Sequence, residues 1–550
     1  MERMTRNAPT LLLGAVLAAA AAMTLALTWE MTFFQDTWAF LINRRELTAD
    51  TLLTPHNEHI VFFPVLIENL LLRVFGMSSA APEYVLLTLF LLATATLLYV
   101  YVKRRVGEWL ALFATVLLLC LGPAWEVLLW PFEITFLGPI LFGLAMLLAL
   151  ERGDRRGDVA ACAFLVCAIG FSGLGICFIA AAAVAVAMGP RRTWFPRAYV
   201  FVIPLLLYGA WYLGYGNEAE SHLSLGNVLA SPRFVIDSIA SALGSMAGLG
   251  TPVGEAPDPS WGRALLVGLV IVLGLRQLRL RLRIYPGLWP VLAAALANWF
   301  LTAFNAFPGR DPMSSRYQYA GAVFILLILA SLLKDVRPSR NVLIAGAVAT
   351  ALAVGPNLVI LKDGRDLLEP QSVLTQADTA AIEIASRTVA PEFQLTQEVA
   401  GTPSLPNVYA GAYLEAVEEY GSPAYTPAEL LAAPEAGRKQ ADIVLSQALP
   451  LSTVTELGAY EPGGGGEACV VTGGDDGAAV PLSPGLTRIE VAPGPPAEFS
   501  LRRFAVAGEF PVTTEGAPGD SATLLRIPRD RARQPWFLRV DSSQPARVCR

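Results

Sequence analysis

Charge is scarce in this chain. Only 16% of its 550 residues are Asp, Glu, Lys or Arg, 54% are apolar, and the mean hydropathy is +0.51. That balance excludes an ordinary soluble protein of this length and points to several membrane spans. Basic patches with interleaved aromatics are missing and the net charge is −6, which argues against a nucleic-acid partner. Histidine is confined to His56, His59 and His222; there is no HExxH and no evident internal repeat. Cysteine is sparse too. Cys120, Cys162, Cys167 and Cys177 lie in apolar runs and read as small buried side chains. Cys469 and Cys549 alone lie outside them. Outside the cytoplasm those two can pair, and closing so long a loop would contribute about 4 kcal/mol on the chain-entropy model.

What is present is a series of apolar segments, at 9–29, 83–102, 108–121, 133–150, 159–188, 198–214, 262–275, 287–304, 317–333 and 341–361. The first is about 20 residues long, so a retained span is expected rather than a cleaved leader. The connections "KRR" (103–105), "ERGDRRGD" (151–158), "GPRRTWFPR" (189–197), "RQLRLRLR" (276–283) and "KDVRPSR" (334–340) are short and basic, which places them in the cytoplasm. Basic loops bracket 159–188 on both sides, and "GFSGLG" (170–175) divides it. Two short passes there put every basic loop inside. The expectation is therefore a polytopic α-helical protein of the cell membrane with about eleven transmembrane helices, N-terminus cytoplasmic and C-terminus extracytoplasmic. Residues 1–361 form the membrane domain, with a first outer loop at 30–82. Within that loop "HIVFFPVLIENLLLRVFG" (59–76) is too polar at Glu68, Asn69 and Arg73 for a simple span and reads as an interfacial helix. From Lys362 the composition becomes that of a soluble domain. A mixed α/β segment (362–460) leads through the flexible "EPGGGGEA" to a β-sandwich-like segment (461–550) of short alternating runs.

Polar residues that can carry chemistry gather on the outer side. Asp36 lies among Phe33, Phe34, Trp38 and Phe40 just past the first span. Desolvation there would raise its pKa toward that of a general base; a helix cap is the other reading. In "PGRDPMSSRYQYAG" (308–321), Arg310 and Arg316 stand with Tyr317 at the outer mouth of a span. Guanidinium forks and a helix N-terminus suit phosphate oxygens, while an ion pair with Asp311 or tyrosine anchoring explains them equally well. "PAWEVLLWPFEITF" (123–136) holds Glu126 and Glu133 beside Trp125 and Trp130; carboxylates and aromatic faces suit sugar rings. In "HNEH" (56–59), a helix would put His56 and His59 on one face. They could hold a divalent ion (Mg, Mn, Ca or Zn), or the segment could start the interfacial helix with Asn57 as its cap. His222 is a conceivable distant partner.

The eleven-span plan, Asp36 in "FFQDTW", "HNEHIVFFP" before a juxtamembrane helix and the "SRYQY" entrance to a late span together resemble the GT-C glycosyltransferases. The likeness is to bacterial relatives of protein mannosyltransferases and arabinosyltransferases. It covers the membrane part. It implies a transferase that takes sugar from a polyprenyl-phosphate donor to a glycan, lipid or protein acceptor on the extracytoplasmic face, with inversion. In that scheme Asp36 is the base, and Arg316 with Arg310 and Tyr317 holds the leaving phosphate. Trp38, Glu126, Trp130 and Glu133 position the acceptor, a metal at His56 and His59 is conceivable, and the C-terminal sandwich could bind glycan. One departure stands out: relatives carry an acidic pair where "QDTW" has one acid. Two other readings stay open. A non-catalytic scaffold is compatible with the single acid. A transporter of lipid-linked glycans would need ionisable residues deep in the spans, and these are nearly absent.

Overall fold

The computed structural model describes residues 2–280, 284–395, 405, 408–449, 452–457, 469–472, 479–492, 497–515 and 521–549. The glycine-rich "EPGGGGEA" lies outside them. Helices α1 (Glu2–Thr28), α2 (Asp36–Asn43), α3 (Ala49–Leu53), α4 (Phe62–Phe75), α5 (Ala81–Val106), α6 (Glu108–Leu119), α7 (Trp125–Leu129), α8 (Ile134–Leu150), α9 (Arg155–Phe171) and α10 (Gly175–Ala187) come first. They are followed by α11 (Arg191–Arg197), α12 (Tyr199–Gly214), α13 (Leu225–Met246), α14 (Ser260–Leu280), α15 (Leu288–Phe304), α16 (Ser315–Leu332) and α17 (Arg340–Ala385). The last three helices are α18 (Ala410–Tyr420), α19 (Pro427–Ala432) and α20 (Glu435–Ala448).

The chain forms two compact units. One comprises Met1–Glu30, Arg44–Leu71 and Ala81–Leu368; the other comprises Met31–Asn43, Leu72–Ala80 and Glu369–Arg550. The first outer loop, expected to belong with the membrane part, is thus shared between the two. The break expected after residue 361 comes at 368/369, within the span of α17.

Each expected apolar segment is a helix, and 159–188 is broken at Ser172 into α9 and α10, as the Gly/Ser interruption predicts. Among the described residues, six helices are long and apolar enough to cross a bilayer, or eight if each of two bent pairs is one span, against the eleven expected. The remaining three are short: α9, α10 and α15 have 17, 13 and 17 residues, where a straight crossing takes about 20.

Inside the first unit, small residues let backbones approach. A Cβ on Gly262 of α14 would sit 1.9 Å from the Ala240 carbonyl of α13, and one on Gly143 of α8 would meet the Phe178 ring of α10 at 2.4 Å. Buried amides bind the helices further. The Gln318 side-chain oxygen accepts from Ser241 and Ser245 at 3.0 and 3.3 Å. Asn357 donates to the Ser245 carbonyl and accepts from Gly122 N–H. The part of helix α4 in this unit hides Glu68 and Asn69 while Leu70 faces outward, a pattern suited to lipid rather than water on its outer side.

Among the described residues of the second unit, nine antiparallel strands make two sheets. These are β1 (Ser452–Leu457), β2 (Cys469–Thr472), β3 (Val480–Leu482), β4 (Gly485–Val491), β5 (Glu498–Arg502), β6 (Val512–Glu515), β7 (Ser521–Ile527), β8 (Trp536–Asp541) and β9 (Ala546–Cys549). Their order is β1-β7-β4-β9-β2 in one sheet and β3-β8-β5-β6 in the other. Alternating burial along β4 and β8 gives each sheet one covered face. Cys469 and Cys549 are directly paired across β2 and β9 and form a disulfide. The Asp442 carboxylate accepts from the N–H groups of Arg503, Phe504 and Ala505, and Arg503 is itself paired with buried Asp530. These contacts fix the turn after β5.

Candidate functional site

The first unit gathers most of the singled-out residues into one cluster. "HNEH" is not the start of a helix. His56 and His59 exchange both backbone hydrogen bonds at 3.0 Å, making a two-residue reverse turn, and α4 begins only at Phe62. Asn57 takes φ +52°, a left-handed conformation that Asn tolerates and most side chains do not. The two imidazoles are therefore brought together across a turn rather than along a helix face. The α9–α10 break packs on this turn, since a Cβ on Gly173 would lie 2.8 Å from His59 Nδ1. The His56 ring packs on Phe132, which stacks on Trp130.

Glu58, at the tip, joins the turn to the loop before α16. Its carboxylate pairs with Arg310 and lies 3.6 Å from His59 Nε2. Burial alone would raise its pKa, but His59 and Arg310 bring the Glu58 carboxyl below the usual range. Burial holds the His59 imidazole below its ordinary value, against the pull of Glu58. Arg310 also donates to the Asn305 carbonyl and lies over the Phe307 ring, which packs against His222. So His222 reaches the turn through Phe307 and Arg310. The alternative of an ion pair with Asp311 is not taken up by Arg310; Asp311 accepts from Met313 N–H within its own loop.

Arg316 is the second residue of α16, and its partner is Glu126. The Glu126 carboxylate accepts from Arg316 N–H at 3.0 Å and touches the guanidinium only at 3.5 Å. Glu126 N–H donates to Ser315 Oγ. Arg316 keeps 38% of its side chain exposed, against 14% for Arg310. Tyr317 lies within electrostatic range of Arg310, Arg316, Glu58 and Glu133, so it marks the middle of the cluster.

The loop carrying Glu126 is no simple hairpin. Pro123 and Pro131 start single 3-10 turns on either side of α7, as proline does at a first helical position. This folds Trp130 and Glu133 inward, to 3% and 1% exposure, so neither presents the open face envisaged for an acceptor. Asp36 and Trp38 belong to the second unit. Asp36 is the first residue of α2, following Gln35 at φ +45°. Trp38 is wholly buried, donates to the Phe33 carbonyl at 3.1 Å and packs edge-on against Tyr413, which is the position of a core residue.

Among the described residues no three His, Cys, Asp or Glu side chains come together to ligate a metal. At His56 and His59 the only nearby carboxylate on the turn is taken up by Arg310, and a guanidinium beside it opposes a second cation. The residues present do not fit a divalent ion.

Sequence reasoning missed Glu58 as the partner of Arg310. It also missed the burial of two carboxyls, Glu68 on α4 and Glu83 on α5. The only hint was the polarity of "IENL" inside an apolar run.

No known family's sequence pattern and no curated protein matches the chain. Its fold is similar to solved structures at low identity. ArnT from Cupriavidus metallidurans bound to undecaprenyl phosphate matches at 16% identity and TM-score 0.42, covering 74% of this chain and 85% of that one. The same protein in the apo state matches at 16% and TM-score 0.44, covering 75% and 85%. Arabinosyltransferase EmbB from Mycobacterium smegmatis matches at 13% and TM-score 0.28, covering 97% of this chain and 64% of that one.

Proposed function

We propose that the protein is a membrane glycosyltransferase that uses a polyprenyl-phosphate-linked sugar and transfers it to a glycan, lipid or protein acceptor at the outer face of the membrane. The observation that carries this reading is Arg316. It is a part-exposed guanidinium at the N-terminus of an apolar helix, beside Tyr317 and backed by a second arginine. A sugar donor that is lipid-linked needs its phosphate held at such a mouth while its tail lies among apolar helices. As the glycosidic bond breaks, the leaving phosphate gains negative charge, and a fixed guanidinium stabilises that charge more than it stabilises the ground state.

In this reading Arg316 binds the phosphate. Arg310, paired with Glu58 and in contact with the Asn305 carbonyl and the Phe307 ring, holds the loop that presents it. Asp36 is proposed as the general base that takes the acceptor hydroxyl's proton.

The test is sugar transfer from polyprenyl-phosphate donors by purified protein in lipid. Arg316→Gln is expected to lower turnover about 100-fold or more, the size of loss seen when one charge-stabilising donor is removed. Asp36→Asn should abolish turnover and leave donor binding intact. Undiminished transfer by Asp36→Asn would remove that residue from the mechanism. Absence of turnover in the unmodified protein with every lipid donor would favour the non-catalytic scaffold.

A further inference from the structure

Three arginine–carboxylate pairs differ in kind. Arg503–Asp530 is sealed, with both side chains 4% exposed. Arg310–Glu58 is close and further tied by a carbonyl and a ring. Arg316–Glu126 is loose: its charged atoms approach no nearer than 3.5 Å, and the guanidinium is part-exposed. The strongest bond that the Glu126 carboxylate makes is to the Arg316 backbone N–H, at 3.0 Å. That carboxylate therefore occupies the place where a helix N–H and a guanidinium both point at an anion.

We propose that Glu126 is a built-in stand-in for the phosphate, an internal anion that a bound phosphate group must displace from Arg316, and not an acceptor-binding residue. This rests on the phosphate reading of Arg316 given above. Two features make the exchange feasible. The long contacts to the guanidinium cost little to break, and Glu126 N–H stays anchored to Ser315 Oγ while the side chain rotates away. Displacement has a chemical consequence. A head group must offer at least the charge and the acceptor oxygens of a carboxylate, so neutral or hydroxyl-headed lipids would be rejected by a seat already filled.

The test measures binding of undecaprenyl phosphate and, separately, of inorganic phosphate to the full-length protein in detergent. It compares the unmodified protein with Glu126→Gln, Glu126→Asp and Arg316→Gln, each first checked for an unchanged melting temperature. If Glu126 is a stand-in, Glu126→Gln tightens binding about 3- to 10-fold, the scale of a part-exposed ion pair. Arg316→Gln then loses binding. Tightening for the lipid alone assigns the seat to a lipid head group; tightening for both probes assigns it to phosphate as such.

Unchanged or weaker binding of the lipid by Glu126→Gln, with the unmodified protein binding well, would overturn the proposal and leave the function reading standing. It would mean that the carboxylate serves only to hold Arg316. Binding of neither probe by either protein would overturn both. If Glu126→Gln fails to fold, Glu126→Asp carries the same comparison, because a shorter carboxylate reaches the seat less well and should also tighten binding.

Discussion

At the scale of single residues, the cluster depends on one strained turn. Asn57 at φ +52° lets His56 and His59 close on each other. Replacing it by Val is expected to cost about 1–2 kcal/mol, while Gly should be tolerated; thermal melting in detergent distinguishes the two. Acid should loosen the same turn. Both Glu58 and His59 titrate below their ordinary values in the folded protein, so the unfolded chain binds more protons. Stability then falls as pH drops below the free histidine value of about 6.5, and falls further through the folded value of Glu58. His59→Gln should flatten the first part of that loss in melting curves taken between about pH 7.5 and 5. The residue types of this cluster were legible in the sequence, because two histidines and two outer arginines are conspicuous in a chain so poor in charge. Their partners were not. An ion pair with Asp311 stood as one alternative for the arginines, but a two-residue turn far away in the chain delivers Glu58 to Arg310, and no local spacing encodes that meeting.

Among the helices, glycine decides which contacts can exist. Gly262 and Gly268 both lie on α14. An added Cβ meets the Ala240 backbone at 1.9 Å in the first case and nothing within 4 Å in the second. Gly262→Ala should therefore destabilise the α13–α14 pair by about 1–3 kcal/mol, and Gly268→Ala should be neutral or slightly stabilising. Tm measurements on the matched pair check this. Gly173→Ala is expected to disturb the His56–His59 turn without touching its sequence. Hydrophobic runs predicted these helices well, including the break at "GFSGLG", because burial in lipid leaves the backbone no alternative to helix. The connections were harder to read. "PAWEVLLWPFEITF" read as a segment offering carboxylates and aromatic faces to a sugar, yet its two prolines begin separate helical turns that carry Trp130 and Glu133 inward.

For the molecule as a whole, the change of composition at Lys362 falls inside the single helix α17. It did not reveal that the segments 31–43 and 72–80 join the second unit. The reason is visible in Trp38, whose indole packs against Tyr413: aromatic residues that read as interfacial are core. The disulfide was legible by elimination of the other cysteines, and its effect should be measurable. Strand β2 has four residues and, among the described residues, is bonded only to β9, so reduction, or Cys469→Ser, should lower stability of the sheet unit by about 2–5 kcal/mol, seen as a Tm shift with dithiothreitol. The paired arginines of the cluster have a consequence for kinetics as well. Each guanidinium carries its own carboxylate within 4 Å, so the resting mouth projects little field beyond a Debye length. An anionic lipid would then arrive by lateral diffusion in its leaflet rather than by attraction through water. Its association rate should change less than about threefold between about 0.05 and 0.3 M salt, where a steered encounter would slow steeply.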